Sequence, residues 1–168
     1  MKSQKISTKT VVLSALFAAL ICIATMIIKI PTPLKGYLNL GDGAVLLSAW
    51  ILPPGFAFLA AGVGSALADI FSGYIVYAPI TFLVKGAMTI AAYLIFKCFK
   101  KGNLFARIVS ATAAEVIMVL GYFVFEGFMY GFIPSLANIP ANAIQGAAGI
   151  ILSVLTITHL KKAISKFF

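Results

Sequence analysis

Asp42, Asp69, Glu115 and Glu126 are the four carboxylic acids of this chain, and each stands in or beside a long apolar run. An ionisable side chain in such a setting is costly to keep and marks a functional site by default. Lys85 lies about nine residues into its own run, which the helical rise converts to roughly 13 Å from the run's end. Glu115 lies about ten residues into the following run, at a similar depth. A buried Lys85–Glu115 pair is therefore possible, and so is a Lys85 cation turned towards a ligand. Asp42 opens a run, where a carboxylate also suits a helix N-terminus. Hydrogen-bonding and aromatic groups collect around these charges: Asn39 before the second run, Tyr74, Tyr77 and Thr81 around the start of the fourth, Tyr130 at the end of the fifth. Asn138, Asn142 and Gln145 follow, and the last two, three residues apart, share a helix face. The chemistry of such a set is recognition of a small, polar, ring-containing molecule.

The residues for bond-breaking chemistry are not in evidence. Cys22, Cys98 and His159 show no metal-ligand or disulfide spacing. No Walker motif is present, so ATP hydrolysis would fall to another chain. No cofactor is expected, and no activated serine or cysteine is recognisable.

The elements that must position these residues follow from composition. Of 168 residues, 62% are hydrophobic and only 10% charged, with mean hydropathy +1.09. A soluble surface needs about a quarter charged residues, so this exterior faces lipid. The net charge of +9 comes mostly from helix ends, which points to membrane topology and not to nucleic acid. A spanning helix takes about 20 apolar residues, and the runs that qualify cover about 11–30, 55–71, 76–96, 105–130 and 138–159. A shorter run at 43–52, closed by Pro53-Pro54, needs tilt or neighbours to cross. The first run is too long for a signal-peptide core, and is read as a retained helix. With six spans, Lys2, Lys5 and Lys9, then Lys97, Lys100, Lys101 and Arg107, then Lys161, Lys162 and Lys166 all fall on one side, the cytoplasmic one. Lys29 and Lys35 remain opposite. The expected fold is thus an all-α integral membrane protein, one domain over residues 1–168, a bundle of six transmembrane helices with both termini cytoplasmic.

Small residues mark the faces where membrane helices approach closely. Ala60, Gly64 and Ala68 form one such stripe, and Ala143, Ala147 and the Gly146–Gly149 pair another; both are expected to pack within the bundle. On the first span Ala15 and Ala19, flanked by Ser14 and Ala18, can serve either internal packing or another membrane subunit. The inner half has far fewer polar groups than the outer and no internal repeat is visible, unlike self-sufficient secondary transporters.

The succession Asn39-Leu40-Gly41-Asp42, Pro53-Pro54-Gly55, Gly64-Ser65-Ala66-Leu67-Ala68-Asp69, Gly73-Tyr74, Ala78-Pro79-Ile80-Thr81 and Lys85-Gly86 resembles the substrate-binding S components of energy-coupling factor (ECF) vitamin transporters. The similarity is greatest to the branch with riboflavin, pyridoxine and hydroxymethylpyrimidine carriers. The resemblance implies a subunit that captures a vitamin at the outer face, beneath a first loop over about 31–40. It implies docking through span one, with Ala15, Ala18 and Ala19 on the docking face, onto a transmembrane scaffold (T) subunit carried by two cytoplasmic ATPases. Release inside would follow toppling of the S component in the membrane. Site residues implied are Asn39 from the loop, Asp69, Tyr77, Thr81 and Lys85 from the middle helices, Glu126 and Tyr130 from span five, and Asn142 and Gln145 from span six. Trp50, the single tryptophan, lies towards the inner side, which disfavours thiamine. A pyridine or pyrimidine alcohol is expected first, riboflavin next, then pantothenate. The alternative reading is a self-sufficient channel or ion-coupled carrier for a small polar solute.

Overall fold

Helices account for nearly all of the computed structural model, which describes residues 7–32, 34, 36–99 and 103–167. Of the basic residues that set the expected orientation, Lys2, Lys5, Lys35, Lys100 and Lys101 lie outside this set, as does the side chain of Lys166. In chain order the elements are α1 (Thr8–Ile27), a hairpin of β1 (Ile30–Pro31) and β2 (Tyr37–Leu38), α2 (Gly41–Ile51), α3 (Pro54–Phe71), α4 (Ala78–Cys98) and α5 (Leu104–Tyr130). A four-residue α6 (Phe132–Ser135) and a 3-10 turn (Leu136–Asn138) lead into α7 (Ile139–Phe167).

Five stretches are long and apolar enough to cross a membrane: α1, α3, α4, α5 and the run from Phe132 to Ser165 that contains α6 and α7. The exterior they present is apolar, with Leu16, Ile23, Leu59 and Leu155 all more than half exposed. Ser48, Ser65, Thr89, Asp42 and Lys85 are buried instead. Lipid as the outer solvent explains both halves of this arrangement, since a polar group is then best placed inside.

The short second run becomes α2, of 11 residues. Ten of them, Gly41 to Trp50, are buried, because α1, α3, α4 and α7 all pack around it. A helix sheathed by protein does not have to match the thickness of the bilayer. Its brevity is therefore compatible with a place at the centre of the bundle. By contrast α1 fully buries only Phe17, Ile21 and Thr25, one stripe at four-residue spacing, and keeps the rest half-buried or exposed.

Helix ends follow local chemistry. Pro54 starts α3, Pro79 lies in the first turn of α4, and the Asn103 side chain caps α5 by accepting the Ala106 N–H at 3.0 Å. Gly73 and Gly131 have φ of +84° and +95°, which other residues rarely adopt, and they turn the chain after α3 and α5. Two boundaries differ from the sequence expectation. The first span stops at Ile27, because Ile30 and Pro31 pair with Leu38 and Tyr37 in the hairpin. The last continues past His159 to Phe167, because a basic amphipathic tail prolongs a helix as well as an apolar one does.

The stripe on α3 is a contact face, with Ala60, Gly64 and Ala68 all buried; on α7 Gly146 and Gly149 are buried against Glu115 and Asp42, but Ala143 and Ala147, expected inside the bundle, are exposed because they lie to one side of that glycine face. A Cβ added to Gly64 would lie 2.5 Å from the Ala18 carbonyl oxygen, so α1 and α3 touch backbone to backbone. Between α3 and α4, Phe58 lies over Gly86 and Phe82 over Gly62, with the two rings edge-to-face at 5.5 Å. At one end of the bundle Lys9, Trp50 and Lys161 line a common groove, with Arg107 within electrostatic reach of Lys161. At the other end lies the hairpin.

Candidate functional site

Four helices send polar side chains towards the hairpin, and each does so at helical spacing. Ser65 and Asp69 are four apart on α3, Thr81 and Lys85 on α4, and Tyr122 and Glu126 on α5; Asn142 and Gln145 are three apart on α7. Together with Thr25 of α1 and the hairpin they line a tight cavity, with about 30 Å³ open to the centre of a water molecule. Eight of the nine expected site residues line this space: Asn39, Asp69, Tyr77, Thr81, Lys85, Glu126, Asn142 and Gln145. Tyr130, at the last residue of α5, stands beside Tyr77 and does not line it.

The floor is a buried polar chain. Lys85 forms an ion pair with Asp42 Oδ1, both side chains almost wholly out of solvent. Gln145 Nε2 donates to Asp42 Oδ2 at 2.6 Å, and Gln145 Oε1 accepts the Asn39 N–H at 2.9 Å. Asn39 Oδ1 in turn accepts the Gly41 N–H at 2.9 Å, so it is Asn39 that steadies the start of α2. This corrects two expectations. Asp42 does not cap α2; its side chain turns inward to Lys85 and Gln145. Lys85 pairs with Asp42 and not with Glu115, whose two oxygens have no partner and press towards Gly146 and Gly149. Equal depth in the membrane did not decide the pairing, because the start of α2 lies directly over Lys85 while Glu115 faces α7.

The roof is the hairpin, closed by the Thr32 N–H on the Gly36 carbonyl at 2.9 Å. The Tyr37 hydroxyl donates to Asp69 Oδ1 at 2.6 Å, and its ring leans on Tyr74 with centroids 4.6 Å apart. Burial, with the Asp69 carboxylate adding to it, pushes the Tyr37 phenol far above its ordinary range, so it remains a donor. The Tyr77 hydroxyl lies 2.8 Å from the Leu34 carbonyl oxygen and 3.3 Å from Glu126 Oε1, and its single proton serves the nearer acceptor. Asn138 Nδ2 donates to that same Glu126 oxygen at 2.8 Å. The Tyr122 hydroxyl donates to Thr81 Oγ1 at 3.1 Å, and Lys85 Nζ stands 5.6 Å from the Tyr122 ring centre.

Tyr37, Tyr122, Ser65, Thr25 and Thr32 also line the cavity and were not among the expected residues. Signals for three of them were present. Ser65 and Tyr122 stand four residues from expected members on their own helices, and Tyr37 stands two residues before Asn39 in an extended segment, on the same side. Among the described residues no group of His, Cys, Asp and Glu gathers in a way that could hold a metal ion. The arrangement can grip a ring and its polar substituents.

The sequence matches the family model of the ECF-type riboflavin transporter, S component, over residues 5–162. An uncharacterised gap 3′-region protein of Pyrococcus woesei is 36% identical over 135 residues, which covers 79% of this chain and 88% of that protein. Among solved structures, the S component of a bacterial ECF transporter superposes with a TM-score of 0.75 at 25% identity, over 93% of this chain and 97% of that one. A family match over nearly the whole length, joined to the apolar helices and the shared fold, makes this a prokaryotic membrane protein that belongs to the ECF-type riboflavin transporter S component family.

Proposed function

We propose that this protein is the substrate-capturing subunit of an ATP-driven importer for a water-soluble vitamin with a flat heteroaromatic ring and hydroxyl arms. On this reading residues 1–168 act as one binding domain in the plasma membrane, crossed six times with α2 as the second crossing, and both termini face the cytoplasm. The cavity beneath the hairpin carries the reading: donors and acceptors from α3, α4, α5 and α7 converge there, walled by Tyr37, Tyr77 and Tyr122. Sites of this composition fix orientation by hydrogen bonds and take their affinity from ring contacts. The family's description puts riboflavin first as cargo. Pyridoxine and hydroxymethylpyrimidine come next, reversing the order suggested by the residues alone, since the same groups serve a smaller hydroxymethylated ring.

Capture would proceed from the hairpin side. The Tyr37–Asp69 and Tyr77–Leu34 hydrogen bonds hold the hairpin down, and entry requires both to open. The loaded subunit then docks through the exposed Ala15 and Ala19 of α1 onto the T subunit and its two ATPases. Ala18 is half-buried with its backbone against Gly64, and would act there by setting how closely α1 lies on α3. Vesicles holding this chain with its energising module should take up labelled vitamin only with internal ATP, and vesicles with the chain alone should take up none. ATP-independent uptake by the chain alone would replace this reading with that of a self-sufficient carrier.

A further inference from the structure

The four acidic side chains of the chain all lie away from the basic end of the bundle: Asp42, Asp69 and Glu126 at the cavity, and Glu115 against Gly146 and Gly149. At that basic end Lys9 and Lys161 line a groove with Trp50, and Arg107 stands within electrostatic reach of Lys161. The Arg107 Nε is buried and has no acceptor among the described residues. A buried guanidinium donor left empty is costly, and an anionic oxygen is its strongest partner. Trp50 ties the groove to the same turn of α5: its indole N–H donates to Ser110 Oγ at 3.2 Å, and Ser110 donates to the Arg107 carbonyl at 3.0 Å.

The groove does not end at these charges. Ile164 borders it and also borders an apolar trough that continues between α1 and α7. Both helices pack on α2, but they form no comparable contact with each other among the described residues. Leu16 and Leu20 of α1 and Leu160 and Ala163 of α7 wall the trough, over Ala44 and Leu47 of α2. Leu16, Leu20 and Ala163 are exposed, so its side is open to lipid. Of its polar members, His159 stands on the α7 wall near Lys161, and Thr156 donates its hydroxyl proton to the Leu152 carbonyl at 2.7 Å. From Lys9 to Leu20 α1 rises roughly 16 Å, close to one leaflet's half of a hydrocarbon core about 30 Å thick. Ala15 and Ala19 are not among the walls.

We propose that this trough is a binding site for one anionic phospholipid, its phosphate drawn to Lys161 and Arg107 beside Lys9 and one acyl chain laid between α1 and α7. The order of groups along the groove matches that molecule. Cations and an indole stand at the mouth, where headgroups and interfacial tryptophans belong. Apolar walls of leaflet depth follow directly. A free phosphate would use the mouth and leave the trough empty, and an uncharged lipid would use the trough and leave the cations without an anion. The site does not depend on which solute the cavity at the other end takes.

The test is native mass spectrometry of the full chain in detergent, offered equal amounts of phosphatidylglycerol and phosphatidylcholine with the same acyl chains. Glycerol phosphate serves as the phosphate without the tails. Phosphatidylglycerol should be retained, one per chain, in preference to phosphatidylcholine, and glycerol phosphate should not displace it. Lys161→Gln and Arg107→Gln, each checked for an intact thermal transition, should lower that retention by about fivefold. Ala163→Trp, which lays a ring into the trough from an exposed position, should lower it with both cations in place. Equal retention of the two lipids overturns the proposal, as does undiminished retention in any of the three folded variants. Displacement by glycerol phosphate overturns it in favour of a free-phosphate site. Cation variants that keep their lipid but lose uptake in energised vesicles overturn it in favour of a protein partner.

Discussion

Lys85 and Asp42 form the one salt bridge found among the described residues, and its burial decides what each substitution does. Removing one member of a buried pair leaves the other charge uncompensated, at a loss of about 3–5 kcal/mol. Lys85→Ala should accordingly lower the thermal midpoint in detergent and weaken vitamin binding together. Lys85→Met combined with Asp42→Leu should regain much of the stability and none of the binding, because packing replaces the pair but not its hydrogen bonds. Tyr37→Phe isolates a different contribution. It keeps the ring on Tyr74 and loses only the hydroxyl on Asp69, so affinity should fall by about tenfold with the melting transition little changed. Calorimetry on these variants separates the residues that build the site from those that close it.

At the scale of the elements, close approach governs what can change. A side chain at Gly64 would meet the Ala18 backbone, which cannot yield as a flexible side chain does. Gly64→Val should therefore part α1 from α3 and destabilise by about 1–3 kcal/mol. Gly55→Ala, with nothing within 4 Å of the new carbon, should leave the melt unchanged or raise it slightly. Most of the helices were legible because an apolar run of spanning length is a local signal, and prolines and glycines mark its ends. The helical repeat also placed Asp69, Thr81, Lys85, Gln145 and their neighbours on inward faces. What was not legible depends on relations between elements. A two-residue hairpin carries no periodicity, so the segment around Tyr37 read only as a loop. The partner of Lys85 depends on where α2 begins relative to α4, and a depth measured along each helix does not contain that information.

The whole molecule has two ends and two kinds of surface. Lys9, Arg107 and Lys161 collect at one end, and the polar cavity lies at the other. Between them α1 offers a mostly exposed face that includes Ala15 and Ala19. Ala15→Trp should leave vitamin affinity at the wild-type value and abolish uptake in vesicles that contain the ATPase module. Normal uptake by this variant would remove α1 as the docking helix without touching the cavity. The separation of the two sites along the molecule is what makes these effects separable.

The central claim is that this chain, by itself, captures a vitamin in the cavity beneath its hairpin. Calorimetric titration of the purified wild-type chain in detergent with riboflavin, pyridoxine, hydroxymethylpyrimidine, thiamine and pantothenate tests it most directly. The account predicts tight, one-to-one binding of one of the first three, lost in Lys85→Ala. Protein with an intact thermal transition that binds none of the five, or binds one equally well without Lys85, would contradict it.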